Sequence, residues 1–286
     1  MHSVSLHIHL PFSWWQNQDP VYGVRLEKPD PRIVNSYLNC LGREIAGMKE
    51  DYEDCQVDSI RFLGGYLGLL DSDDFERLLH IIHRAFHTKD ACPITGVLFP
   101  GSLDMDRLSV YRNHHVTPLM FEVPSLSYNE CRAMHLPIAT QALSQTQYLL
   151  QNFHVDEWGL MMPVGIPGRT KTTWDFILGQ IYHFHPTYIR FFSIDSSVME
   201  SDAFTDICLD LTEHGYTREG EFFSLTGTVP AILLPHDPDR EYIGIGIGSE
   251  SRIDGFNVKN TCDWKTYQSL AYDHRKLMIS AAETAH

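Results

Sequence analysis

An α/β fold is predicted by three features of the 286-residue chain. Apolar, β-rich runs alternate with amphipathic helical stretches six times over about 195 residues, the pattern of parallel β/α units wound in the right-handed sense. Six units are too few to close an eight-stranded barrel, so the expected architecture is an open partial (β/α)6 TIM-like barrel. The remaining segment loses the alternation without a flexible linker, and is read as a C-terminal α+β extension. The expected division is therefore 1–195 for the partial barrel and 196–286 for the extension packing on it. Barrels of this kind carry function at the carboxyl ends of their strands.

Residues 5–13, Ser5-Leu6-His7-Ile8-His9-Leu10-Pro11-Phe12-Ser13, read as a first strand that delivers polar side chains to a loop. The loop at 14–27 is aromatic and polar, and its adjacent Trp14 and Trp15 either pack down as a lid or stack on a ligand. Asp30-Pro31 then supplies a cap and a proline at the first helical position. Ile33, Val34, Tyr37, Leu38, Leu41, Ile45 and Met48 recur at helical spacing to about residue 51. A strand at 59–63 runs into Gly64-Gly65-Tyr66-Leu67-Gly68. A second helix begins near Asp73, where Glu76 completes a capping-box pattern.

Next come a strand at 94–99, a short helix from Asp104, a strand at 117–123 and a helical stretch at 128–152 interrupted by Pro137. The fifth strand, 158–162, enters the turn 165–170. A helix at 173–182 and a strand at 188–194 complete the series. Beyond it the pattern gives a helix at 203–214, β-like runs at 221–225, 231–234 and 242–247, and a final helix at 264–282.

Charge and cysteine usage exclude several classes. With 22 Lys and Arg against 37 Asp and Glu, the net charge of -15 opposes phosphate backbones, so nucleic acid is not an expected partner. Hydrophobic content of 43% is ordinary globular usage rather than disorder. Cys40, Cys55, Cys92, Cys131, Cys208 and Cys262 are scattered without a CxxC pair, so neither a zinc knuckle nor a local disulfide framework is indicated. They read as reduced thiols of a cytoplasmic protein. No signal sequence or membrane-length apolar run is visible, and no membrane association is expected.

Four stretches together resemble the radical S-adenosylmethionine enzymes of the oxygen-independent coproporphyrinogen III oxidase type. The first strand is similar to that family's Tyr-x-His-x-Pro-Phe-Cys. Phe62-Leu63-Gly64-Gly65-Tyr66-Leu67-Gly68-Leu69-Leu70 is similar to its Phe-Gly-Gly-Gly-Thr-Pro-Ser-Leu-Leu. Gly165-Ile166-Pro167-Gly168-Arg169-Thr170 with Trp174 resembles Gly-Leu-Pro-Gly-Gln-Thr followed by tryptophan. Tyr242-Ile243-Gly244-Ile245-Gly246-Ile247-Gly248 resembles Tyr-Leu-Gly-Leu-Gly-Pro-Gly. These are backbone motifs, and the resemblance implies the family's fold.

The chemical side chains depart from the family. Its three cluster cysteines, in a CxxxCxxC loop, fall at Ser13, Asn17 and Pro20, and neither a hydroxyl nor an amide is a normal ligand of a [4Fe-4S] cluster. Positions where the resemblance implies polar cofactor contacts hold Val97, Phe99, Met120 and Met161. The resemblance thus implies a non-radical binding or accessory protein, possessing the fold without the cluster, whose ligand is a small molecule or a protein and is tetrapyrrole-related. No cofactor is expected with support, S-adenosylmethionine and haem included. Gly64, Gly65, Tyr66, Gly165 and Arg190 are the ligand-binding candidates.

The alternative is an enzyme with polar or metal-assisted chemistry at the same strand ends. His7 and His9 share a strand face by the two-residue period, and Glu122 lies near the end of the fourth strand. The same histidines read first as hydrogen-bonded core residues, and only then as metal ligands.

Overall fold

The computed structural model describes residues 2–12, 30–133, 139–166, 168–193, 196–199, 201–235 and 240–280. In chain order its elements are β1 (His2–His9), α1 (Pro31–Gly47), β2 (Cys55–Tyr66), α2 (Ser72–Ala85), β3 (His87–Thr88), β4 (Ile94–Leu98), α3 (Met105–Asn113), β5 (Leu119–Glu122), α4 (Tyr128–Ala133) and α5 (Ala139–Asn152). They continue with β6 (Trp158–Pro163), α6 (Lys171–Phe184), β7 (Tyr188–Phe192), α7 (Ser196–Met199), α8 (Asp202–Glu213), β8 (Thr217–Glu219) and β9 (Phe222–Ser224). The last are β10 (Tyr242–Ile245), β11 (Glu250–Ile253), β12 (Phe256–Asn260), α9 (Trp264–Leu270), α10 (His274–Leu277) and β13 (Met278–Ser280). The α/β class is therefore as expected.

The chain forms two compact units, one of Met1–Val97, Asp106–Val116 and Pro235–His286, the other of Leu98–Met105 and Thr117–Leu234. The segment after residue 195 is divided between them, because β9 hydrogen-bonds with β7 and carries β8 on its other edge, while β10 pairs with β1.

In the first unit the sheet order is β13-β12-β11-β10-β1-β2-β4, with β3 against β2. β10, β1, β2 and β4 run parallel, and β11 to β13 extend the sheet antiparallel. Val4, Leu6, Ile8 and Leu10 are all buried at even positions of the first strand, and Ser5, His7 and His9 are buried at odd ones. Both faces of β1 are thus covered, as a strand inside a parallel sheet requires. α1 starts where Asp30 accepts from the Arg32 amide at 2.8 Å and buries Val34, Tyr37, Leu38, Leu41 and Ile45.

The cap of α2 is Asp71, accepting from the Asp74 amide, rather than the expected Asp73 and Glu76 box. The expected final helix is broken after Leu270. The break starts α10 at His274, whose Nε2 meets the Asp51 carboxylate at 2.8 Å.

In the second unit the order is β5-β6-β7-β9-β8, with β5, β6 and β7 parallel and β9 and β8 antiparallel. Its core gathers Phe191, Phe204 and Phe223, with Phe191 edge-on to both other rings. The expected strand at 231–234 is a turn, because the Leu233 amide bonds back to the Pro230 carbonyl. Among the described residues no helix is long and apolar enough to cross a membrane.

Candidate functional site

Polar residues occupy the odd-numbered face of β1 and its neighbours. Side chains in register on adjacent strands share a face, so Tyr242, Ser5 and Ser59 form one row. Gly244, His7, Arg61 and Thr95 form the next. The Ser59 hydroxyl donates to Ser5 Oγ at 2.9 Å. His7, 8% exposed, stacks on Tyr242 with ring centroids 4.5 Å apart. Burial lowers the pKa of Arg61, so its charge is held in a partly dry setting. Sequence reasoning missed Ser5, Ser59, Arg61 and Tyr242. The period of two that joined His7 to His9 would have brought in Ser5, but the cross-strand register is invisible before folding.

His9, only 1% exposed, closes the end of β1. Its Nδ1 bonds the Ile247 carbonyl, and since a carbonyl can only accept, Nδ1 carries a proton. The ring lies on Gly64, where φ is +80° and a β-carbon would overlap the imidazole. At Gly65 a β-carbon would overlap the Leu10 and Phe12 carbonyls, and the Tyr66 amide donates to Phe12 O at 3.0 Å. The α-carbon faces of these predicted binding glycines are thus filled by the chain itself.

Behind His9 lies a buried network not anticipated from the sequence. Tyr37 Oη donates to the His9 carbonyl at 2.6 Å and accepts from the Ile247 amide at 3.3 Å. Glu44, 1% exposed, accepts from Tyr267 Oη at 2.6 Å, Asn260 Nδ2 at 2.7 Å and the Gly246 amide at 3.0 Å. Burial outweighs these donors and pushes the Glu44 carboxyl up to about 7. Burial likewise holds the Tyr37 and Tyr267 phenols well above their ordinary value.

The second unit holds the other candidates. Glu122, Met161 and Arg190 are register neighbours on β5, β6 and β7 and share one face. Glu122 is half-buried at the end of β5. Arg190 pairs with Glu221 at 3.1 Å and lies over the Phe222 ring. Gly165 is exposed with φ +77°.

A second group missed from sequence is Arg169, its side chain 2% exposed. It donates to both Glu130 oxygens, to Pro163 O at 2.9 Å and to Pro124 O at 3.1 Å, and it stacks over Trp174. The signal was present as a cation in the turn 165–170 where the resembling motif has glutamine.

His7, His9, Gly64, Gly65 and Tyr66 are therefore gathered in one unit, and Glu122, Gly165 and Arg190 in the other. Ser13, Asn17, Pro20, Trp14 and Trp15 lie outside the described residues.

Parallel strands alternating with helices define the class, an α/β fold with polar rows across β10, β1 and β2. More particularly, the fold is similar to that of coproporphyrinogen III oxidase (HemN) from Escherichia coli, a radical SAM enzyme. The TM-score is 0.81 at 16% identity, over 97% of this chain and 71% of that one. Lesser overlaps are with anSMEcpe with bound AdoMet, at TM-score 0.48 and 11% identity over 74% and 60% of the two chains. Another is with archaeal Elp3 from Methanocaldococcus infernus, at 0.42 and 11% over 68% and 46%. No protein-family model and no curated protein matches the chain.

Proposed function

We propose that this chain is a coproporphyrinogen-III-oxidase-like protein that works without the radical reaction, as a non-radical binding or accessory protein for a tetrapyrrole-related ligand. The observation that carries the reading is the donor set. A [4Fe-4S] cluster of the kind the fold implies is held by thiolates. Ser13, Asn17 and Pro20 stand at the resembling positions, and the six cysteines fall on separate segments, four of them buried. Among the described residues no three His, Cys, Asp or Glu side chains come together as a metal would need. The residues present do not fit such a cluster. The polar rows with Arg61, His7 and Tyr242 suit a ligand bearing carboxylates, which tetrapyrroles carry, better than a sulfonium cation.

The test is anaerobic incubation of the purified chain with iron and sulfide, followed by iron analysis, visible spectroscopy and an assay for reductive cleavage of S-adenosylmethionine. The expected result is substoichiometric iron and no cleavage. A stoichiometric cluster spectrum with cleavage overturns the proposal. Absorbance titration with haem then tests the ligand class, with saturable binding expected.

A second reading is polar or metal-assisted chemistry through His7 and His9 of the first unit, without Glu122, which belongs to the second. It is favoured by the fixed orientation of the His9 ring, whose Nδ1 is held on the Ile247 carbonyl. Elemental analysis of native protein beside His7→Ala and His9→Ala tests it. Native protein carrying no metal, with both variants binding ligand unchanged, removes it.

A further inference from the structure

Glu44 stands apart from both readings because it is a fully buried acid facing donors alone. From α9 comes the Tyr267 hydroxyl, from β12 the Asn260 carboxamide, and from the turn after β10 the Gly246 amide. On its own helix the neighbouring titratable groups are Tyr37 and Cys40, while Arg43 turns to Cys40 Sγ and the Gln268 carbonyl. Beyond Tyr37 lies His9 of β1. Among the described residues no cation pairs with Glu44.

The turn these donors belong to is the one that holds His9. Asn260 Nδ2 also donates to the Gly246 carbonyl at 2.9 Å, so its carboxamide spans the acid and the turn. Ser249 Oγ donates to the same carbonyl at 2.8 Å, and one residue along the Ile247 carbonyl takes the His9 Nδ1 proton. Gly246 has φ +109°, and a β-carbon there would overlap Tyr37 Oη. The turn therefore has one close-packed conformation when the acid accepts from all three donors.

We propose that Glu44 is a proton-operated latch for the turn 246–249 and, through it, for His9. The carboxylate gathers three donors and seats the Ile247 carbonyl under His9 Nδ1. The acid form carries a proton on one carboxyl oxygen, where it meets the Asn260 donor at Oε1 or the Gly246 and Tyr267 donors at Oε2. The donor set that the carboxylate holds must then rearrange, and its ties to the turn change. Burial places the exchange near neutrality, with the Glu44 carboxyl at about 7, so both forms are populated at ordinary pH. The device sets the order of the strand end that carries His9 and holds whichever ligand the site takes.

The experiment is a pH titration of the full chain by NMR, with glutamate carboxyl carbons, glycine amides and histidine rings labelled. In the native chain the Glu44 carboxyl carbon and the Gly246 amide are expected to shift together with a midpoint near pH 7. The Gly246 step is expected to vanish in Glu44→Gln. Tyr267→Phe, which removes a donor that lowers the carboxyl pKa, is expected to raise the midpoint, and it serves should Glu44→Gln fail to fold. A Gly246 amide unchanged between about pH 5.5 and 8.5 in native protein overturns the latch. So does a step that survives in Glu44→Gln, or a midpoint that Tyr267→Phe leaves in place. A merely structural Glu44 gives the flat response.

Discussion

The strand ends of the two units are finished by different physics. In the first, His9 is pressed on Gly64, two carbonyls are pressed on Gly65, and the acid behind them meets only neutral donors. In the second, the Pro124 carbonyl after β5 and the Pro163 carbonyl that ends β6 are tied by the Arg169 guanidinium, itself paired with Glu130. A shape-closed end has no tolerance for added atoms and responds to protons. A charge-closed end does not tolerate the loss of one partner, since a buried charge left alone is worse than no pair at all.

The sharpest way to break that contrast is Arg169→Ala. It strands Glu130 beside two carbonyls and is expected to lower stability by about 3 to 5 kcal/mol in urea unfolding. A double replacement of Arg169 and Glu130 by apolar residues is expected to recover most of the loss. If the double change is no better than the single one, the second unit is not closed by charge.

Gly64→Ala comes next. The left-handed backbone costs about 1 to 2 kcal/mol, and displacing the His9 ring adds about 1 to 3. The sum is to be read from the denaturant midpoint, and a loss below roughly 1 kcal/mol would show that the ring has room to move.

The third effect is pH-dependent and belongs to the first unit. Folding raises the Glu44 pKa from 4.5 to about 7, so the folded state holds the proton more tightly than the unfolded chain. Its contribution is full below about pH 4.5 and is lost as pH rises through 7, a swing of about 3 kcal/mol. Comparing stability curves of native and Glu44→Gln protein isolates it, with the difference between them expected to change across that window and to be constant above it.

The smallest effect is Arg190→Ala. Its pair with Glu221 is 34% and 44% exposed, and the expected change is about 0 to 1 kcal/mol, diminished further by salt. A loss several times larger would make Arg190 a structural tie like Arg169.

What could be read beforehand follows the range of the interactions. The Asp30-Pro31 start of α1 and the buried parallel strands are written in neighbouring residues and stand where expected, whereas Gly64 and Gly65, expected in a turn after a strand at 59–63, lie inside β2, which runs on to Tyr66. The β11–β12 hairpin was missed although Asp254-Gly255 is a turn signal, because Phe256 and Asn257 at the start of β12 are exposed and offer no apolar alternation. Glu44 was illegible for a different reason. Beside Arg43 it reads as an ordinary surface acid, and its burial is decided by Asn260 and Tyr267, 216 and 223 positions away. Arg61 has the same history, since its place beside His7 exists only once β1 and β2 are in register.

The bond from His9 to Ile247 spans 238 positions, and β1 finds its second parallel neighbour only when β10 has been made. At about 5 to 20 residues per second of synthesis, that wait is on the order of 10 to 50 seconds. Through it β1 is an edge strand. One row of its backbone groups is unpaired, and Val4, Leu6 and Ile8 lie alongside, the condition under which nascent chains pair with one another. Recovery of native protein from the ribosome therefore depends on how quickly residues 242–260 follow, because β10 is the strand that covers this edge of β1.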